Sequence, residues 1–315
     1  MLLTETLALV ASLQATPSYP VVPPGRDSDL RWIGRDGHGI TGIAALSAMA
    51  SADLVVWVAG NQYFAMDAVM AGYRAKHPGT AIGLLTLPPG LLLDALETGG
   101  LQYAGRAWPG RPDVYGTVGQ GYLDRLRKGG FARERRTYAH NELQLMVAKG
   151  NPLGIRDLQD LARPGIRSSL PNPLDEGIMR FHGKPILSRL GLWKTLSDDR
   201  DCRACEPAPG HWFTAVHHRE TPDRIDQGKS DVGLVWRTEV IEAVRAGRAV
   251  EGMPLPPEQN AGDEVAYTAS PIIGCKHPRP AALWLEHLTS PEGQHAYQSF
   301  GFAPATPAER KPGPL

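Results

Sequence analysis

The stretch AVHHRETPDRI, Ala215 to Ile225, sets His217, His218, Arg219 and Glu220 directly ahead of Thr221-Pro222. Imidazole nitrogens and a carboxylate can ligate a metal, move protons or contact an anion; the same groups also line ordinary wet turns. Thr followed by Pro is a common helix start, with Thr as the cap and Pro at the first helical position. The spacing therefore predicts a helix opening at Thr221-Pro222 with both histidines at its mouth. Taken singly, either histidine reads more readily as a hydrogen-bonded turn residue than as a ligand. Arg219 and Glu220 read as a solvated pair of small energetic weight.

Other groups capable of chemistry are scattered. His140-Asn141-Glu142 precedes an apolar run, and Glu176 follows Pro171-Asn172-Pro173. Strand residues alternate faces, so with Leu143, Leu145 and Val147 inward Glu142 would point the opposite way. Cys202 and Cys205 form a C-x-x-C, and Cys275 stands alone. A structural zinc would need a second C-x-x-C or a His pair at metal spacing, and no His follows for haem attachment. In an exported chain a local disulfide pinning a loop is the favoured state; a redox couple or a soft-metal site are the alternatives. The motifs G-x-S-x-G, H-E-x-x-H and G-x-x-x-x-G-K-[ST] are absent, and GTVGQG is not G-x-G-x-x-G. The motifs favour a non-enzyme and imply no cofactor.

The elements that must position these groups are those of a sizeable core: 315 residues, 42% hydrophobic. Lys plus Arg and Asp plus Glu both number 33, which leaves no basic field for nucleic acid or an anionic membrane. No run of about 18 apolar residues reads as a spanning helix. Residues 2–15 are apolar enough for a weak export signal, but no Lys or Arg precedes them.

Apolar runs at 54–59, 81–87, 142–149 and 231–236 read as strands, and 66–73, 175–190, 279–288 and 292–300 as helices. Strands alternating with helices predict an α/β architecture with mainly parallel sheets, and about ten strands point to two lobes. The turns at 60–62, 88–90, 171–173 and 217–222 each join a strand end to a helix start. In open α/β sheets ligands bind there, and helix N-termini favour anions; these are also ordinary connections in any such fold.

Five phrases in order carry a resemblance: LVVWVAGNQYFAMDAVMAGYRAKHP, RPDVYGTVGQGYLDRLRKGGF, NELQLMVAKGNPLGIRDLQDLARPGIR, QGKSDVGLVWRTEV and LTSPEGQHAYQSFGFAP. From about Leu54 to Pro304 the chain resembles the type II periplasmic solute-binding proteins of ABC transporters, nearest to the molybdate-binding branch. The resemblance implies a two-lobed Venus-flytrap fold with hinge crossover strands. It divides the chain into a lead-in at 1–51, a first lobe at 52–139 plus about 240–304, a second lobe at 140–239 with the Cys202/Cys205 loop, and a flexible tail at 305–315. It also implies a periplasmic monomer that delivers a molybdate- or tungstate-like oxyanion to a permease.

The ligand positions depart from that branch. Asn61 stands where it places a serine, Pro88, Pro89 and Gly90 where it places serines, and Trp236 where it places a tyrosine; His217 or His218 falls where it uses a backbone N–H. The resemblance thus nominates Asn61, Gln62, Gly90, Glu142, Asn172, His217, His218 and Trp236 as ligand-binding. Buried carboxylates repel an anion and welcome a cation. The alternative is a transition metal or metal complex held by His217, His218 and Glu142, in a receptor or in a metal chaperone.

Overall fold

The computed structural model describes residues 18–24, 26–262 and 264–315; the expected export signal lies outside them. Two mixed sheets dominate. The apolar run Leu54–Ala59 is the centre of a nine-stranded sheet, parallel to Ile82–Leu87 on one side and Val114–Val118 on the other. Such runs suit strands covered on both faces. Here one face is covered by helices Met66–Lys76, Pro278–Thr289 and Pro291–Gln298, through Val69, Met70, Tyr73 and Trp284. The other is covered by helices Pro89–Thr98 and Gln120–Lys128, through Leu92, Leu96, Tyr122 and Leu126.

The second sheet has six strands. Ser168–Leu170 runs parallel to His211–Phe213 and Val232–Trp236, and Leu143–Ala148 lies antiparallel between Val232–Trp236 and Val250–Pro254. Helices His217–Asp226 and Arg237–Arg245 cover one face through Ile225, Val240 and Ala243, packed on Met146, Val235 and Val250.

The chain leaves the first sheet at Glu134–His140 and enters the second at Leu143, with only Asn141 and Glu142 between. It returns through 255–265 to Ala266–Pro271, which pairs with both Val114–Val118 and Glu134–His140. Asn141 ties the crossover: its Nδ2 donates to Thr238 Oγ1 at 2.9 Å and to the Tyr267 hydroxyl at 3.1 Å. Two lobes joined by two short crossovers form a hinge fold.

Five expectations need correction. The two large sheets are not mainly parallel: the edge strand Leu30–Ile33 and the strands flanking the crossovers, Glu134–His140, Leu143–Ala148, Val250–Pro254 and Ala266–Pro271, all pair antiparallel. The 1–51 lead-in is in part a sheet edge: Leu30–Ile33 pairs antiparallel with Ile82–Leu87, followed by Gly39–Thr41 and helix Gly42–Ala48. Backbone pairing and the buried Arg26–Asp29 ion pair hold it, and neither leaves an apolar pattern. Val250–Pro254 belongs to the second sheet, so the return to the first comes after residue 254 and not near 240. The 305–315 tail is docked: Gly313–Pro314 pairs with Glu134–Arg135, and Thr137 N donates to Glu309 O. Finally, the helix of the HHRETP stretch begins at His217 and carries Pro222 inside it. Glu220 replaces the expected Thr cap by accepting from the Ala215 and Val216 amides.

Candidate functional site

Strand ends from both sheets meet at one gap. From the first lobe come Gly60, Asn61, Pro88, Pro89 and Val118; from the second come Glu176, Gly177, Ile178, His217, His218 and Trp236. Each group follows the C-terminal end of a strand, the position at which open α/β sheets place ligands. The gap holds about 20 Å³ of space for water-sized occupants, enough for one. A larger cavity of about 180 Å³ reaches His218 and Glu239 from the far side, between Tyr63 and Phe64 of the first lobe and Asp223, Glu242 and Arg248 of the second.

At the meeting point lies a buried charge cluster. His217 Nδ1 is 3.1 Å from Glu176 Oε2, and its Nε2 is 3.0 Å from Glu239 Oε1. His217, Glu176 and Glu239 are all almost fully buried. Burial works against protonation of His217, but the carboxylates of Glu239 and Glu176 outweigh it and push its pKa up to about 10. Burial raises Glu239, opposed by His217. His218 is driven well below its ordinary value by burial and then by the His217 charge, so it is neutral. One ligand atom from each of His217, His218 and Glu239 lies within 4.8 Å of the others.

The contacts of His217 are ion-pair distances without hydrogen-bond alignment. Among the described residues, neither nitrogen of His217 or His218 has a hydrogen-bond partner, nor has Glu176 Oε1 or Glu239 Oε1. Glu239 Oε2, by contrast, accepts from the Trp236 amide at 3.2 Å.

The family described as bacterial extracellular solute-binding protein matches residues 54–303. This chain belongs to it. Relatives of this solute-binding protein include a sulfate-binding protein of Synechococcus elongatus, 24% identical over 225 residues, 69% of this chain and 60% of the relative. They also include a molybdate-binding protein of Mycobacterium bovis, 21% identical over 255 residues, 79% of this chain and 84% of the relative. The chain spans 60% or less of the length of the sulfate-binding relatives it matches. In fold it is similar to the sulfate-binding protein SubI from Mycobacterium tuberculosis, with TM-score 0.60 and 20% identity over 81% of this chain and 88% of that one. The periplasmic molybdate-binding protein of Azotobacter vinelandii gives TM-score 0.60 and 21% identity over 80% and 100%. The fold is thus the two-lobed type II fold of these proteins.

Four nominated residues of this solute-binding protein come together at the gap: Asn61, His217, His218 and Trp236. Asn61 Nδ2 donates to the Tyr267 hydroxyl at 2.5 Å, while its Oδ1 is buried without a partner among the described residues. Four others lie elsewhere. Gln62 Oε1 accepts from the Tyr138 and Tyr297 hydroxyls inside the first-lobe core. Gly90 lies within helix Pro89–Thr98 and faces the Tyr122 ring. Asn172 is fully buried and satisfied, donating to Thr214 O and accepting from the Leu174 and Asp175 amides. Glu142 is half-buried at the crossover, 3.7 Å from Arg237, and is not part of the cluster.

The cluster carboxylates are instead Glu176, which the sequence marks beside Asn172, and Glu239, which it does not. One signal could have found it: it stands three residues after the last strand residue, Trp236, where an N3 glutamate reaches back to its cap. Arg219 and Glu220 are not a solvated pair. Glu220 caps its own helix, and Arg219 crosses to the first lobe, against Asp29 and the Tyr63 ring.

Proposed function

We propose that this solute-binding protein is the receptor of an ABC importer, working outside the cytoplasm. It closes two lobes over one small inorganic solute and passes it to a permease. The observation that carries this reading is the gap lined by strand ends of both sheets, beside the Asn141 crossover. The Cys202–Cys205 disulfide suits an oxidising compartment such as the periplasm.

Relatives named for sulfate and molybdate make a tetrahedral oxyanion the first class to test. The starts of the 60–62 turn and of helix His217–Asp226 support it, since helix N-termini present free N–H groups. Pro88 and Pro89 work against it, because proline has no N–H to offer. Titration calorimetry and solution scattering test the receptor reading with sulfate, molybdate, tungstate and divalent metal ions. Saturable binding of any one, with a smaller radius of gyration, supports it. Failure of every ion in both classes to bind would sink it.

A further inference from the structure

We propose that His217, His218 and Glu239 form a site for one divalent first-row transition-metal ion, and that this ion is the solute the cleft takes. The proposal rests on the receptor reading and names its ligand class. The residues supply two imidazoles and a carboxylate, the donor set that suits such an ion. Their ligand atoms lie within 4.8 Å of one another and all three side chains are buried. Bonds of about 2.0–2.2 Å to a tetrahedral ion would separate its ligands by roughly 3.4 Å, so closing the site needs only small movements of the rings. Three protein ligands leave a fourth position for water, and the 180 Å³ cavity gives access to His218 and Glu239.

The unused atoms point the same way. Buried polar atoms are nearly always hydrogen-bonded. Here both nitrogens of His218 lack a partner among the described residues, and His217 and Glu239 Oε1 meet only as an ion pair without hydrogen-bond alignment. The supporting contacts are already in place. Glu239 Oε2 is fixed by the Trp236 amide, leaving Oε1 to a ligand. Glu176 faces Nδ1 of His217, leaving Nε2 on the Glu239 side. A carboxylate behind a ligating histidine is the usual means of orienting the ring and raising its basicity.

Charge balance separates the two ligand classes. Glu176 and Glu239 bring two carboxylates, whose charge a divalent cation offsets once it displaces the proton of His217, which leaves to solvent. A dianion beside the same carboxylates, even with His217 protonated, leaves the site strongly negative. The neighbouring guanidinium groups are engaged already, Arg26 and Arg219 by Asp29 and Arg248 by Asp223 and Asp226.

The test uses the intact protein, stripped with chelator and titrated with Zn²⁺ and Co²⁺, with sulfate and molybdate as the rival arm. The expected result is one Zn²⁺ per chain and a Co²⁺ visible spectrum typical of four-coordinate nitrogen and oxygen ligation. His218→Gln and Glu239→Gln should each weaken Zn²⁺ by tenfold or more, and Glu176→Gln by about 10–100-fold. Glu142→Gln should leave it unchanged. Should a variant fail to fold, X-ray absorption of the wild-type Co²⁺ complex decides, since two imidazoles must appear in the shell. Binding of sulfate or molybdate without any metal would overturn the metal site and keep the receptor. Binding of neither class would overturn both. Zn²⁺ binding unaltered in folded His218→Gln and Glu239→Gln proteins would overturn the assignment of the ligands.

Discussion

Arg219 of the second lobe and Asp29 of the first meet at 2.5 Å across the mouth of the cleft, with Asp29 fully buried. The same guanidinium lies 5.0 Å from the Tyr63 ring centroid. This pair links the lobes away from the hinge, so it favours the closed state. Arg219→Met should loosen closure, raise the radius of gyration and weaken solute binding. Because Arg219 is about a third exposed, the loss is expected near 1–2 kcal/mol, roughly five- to thirtyfold. Asp29 keeps Arg26, so the protein should still fold. Wild-type scattering and affinity in the variant would refute the latch.

His217 is the counter-charge for two buried carboxylates. Removing it as His217→Ala, in metal-free protein, leaves Glu176 and Glu239 facing one another without compensation. Breaking a buried pair on one side typically costs about 3–5 kcal/mol. Urea denaturation should report a loss of that size, and a loss below about 1 kcal/mol would mean that water already reaches the cluster.

Acid sensitivity has a definite sign. Burial holds His182, His211 and His287 below their ordinary value of 6.5. Below that pH the unfolded chain takes up protons that the folded chain refuses, so stability falls as pH drops. Melting temperature is expected to decline from pH 7 to pH 5. His287→Gln can keep a donor to Val69 O and removes one such proton site. Its decline should be shallower than that of the wild type; an equal slope would assign the effect to other groups.

Glu309 fastens the C-terminal segment. Burial opposes its ionisation, but hydrogen bonds from Thr306, with His140 alongside, hold it below the ordinary carboxylate value. The contribution is present near neutrality and lost as pH falls through that lowered value. At pH 7, trypsin should spare the Arg310–Lys311 bond in the wild type and cut it quickly in Glu309→Ala. Equal digestion would show that the strand pairing of Gly313–Pro314 holds the segment alone.

The disulfide closes a very short loop, with sequence separation 3. Chain-entropy reasoning gives about 2 kcal/mol for such a loop. Reducing agent should therefore lower the melting temperature by a few degrees without unfolding the protein. An unchanged melting temperature would show that the loop is held by its other contacts.

Much of the fold was legible because its centre is written in apolar runs. LVVWVA and DVGLVW announce strands covered on both faces, and both proved central. Missed elements have other warrants. Glu134–His140 reads ERRTYAH, too charged to look like an interior strand, yet it pairs with Ala266–Pro271, Ala303–Pro304 and Gly313–Pro314. The site was legible in half. The paired histidines and Glu176 marked it, but the second carboxylate came from the next strand–helix junction, at Glu239, and no local pattern links 217 to 239. Glu142 was adjacent to the hinge in sequence without facing the gap.

The interleaved course of the chain also orders its making. Strand Ala266–Pro271 lies between Val114–Val118 and Glu134–His140, so the first-lobe sheet lacks an internal member until nearly the whole polypeptide has emerged. The six strands of the second lobe are all complete by Pro254. A nascent chain, emerging from its N-terminus, can therefore finish the domain inserted in the middle before the one that begins it. During that interval the flank of Val114–Val118 is an open edge, and open edges invite pairing with other chains.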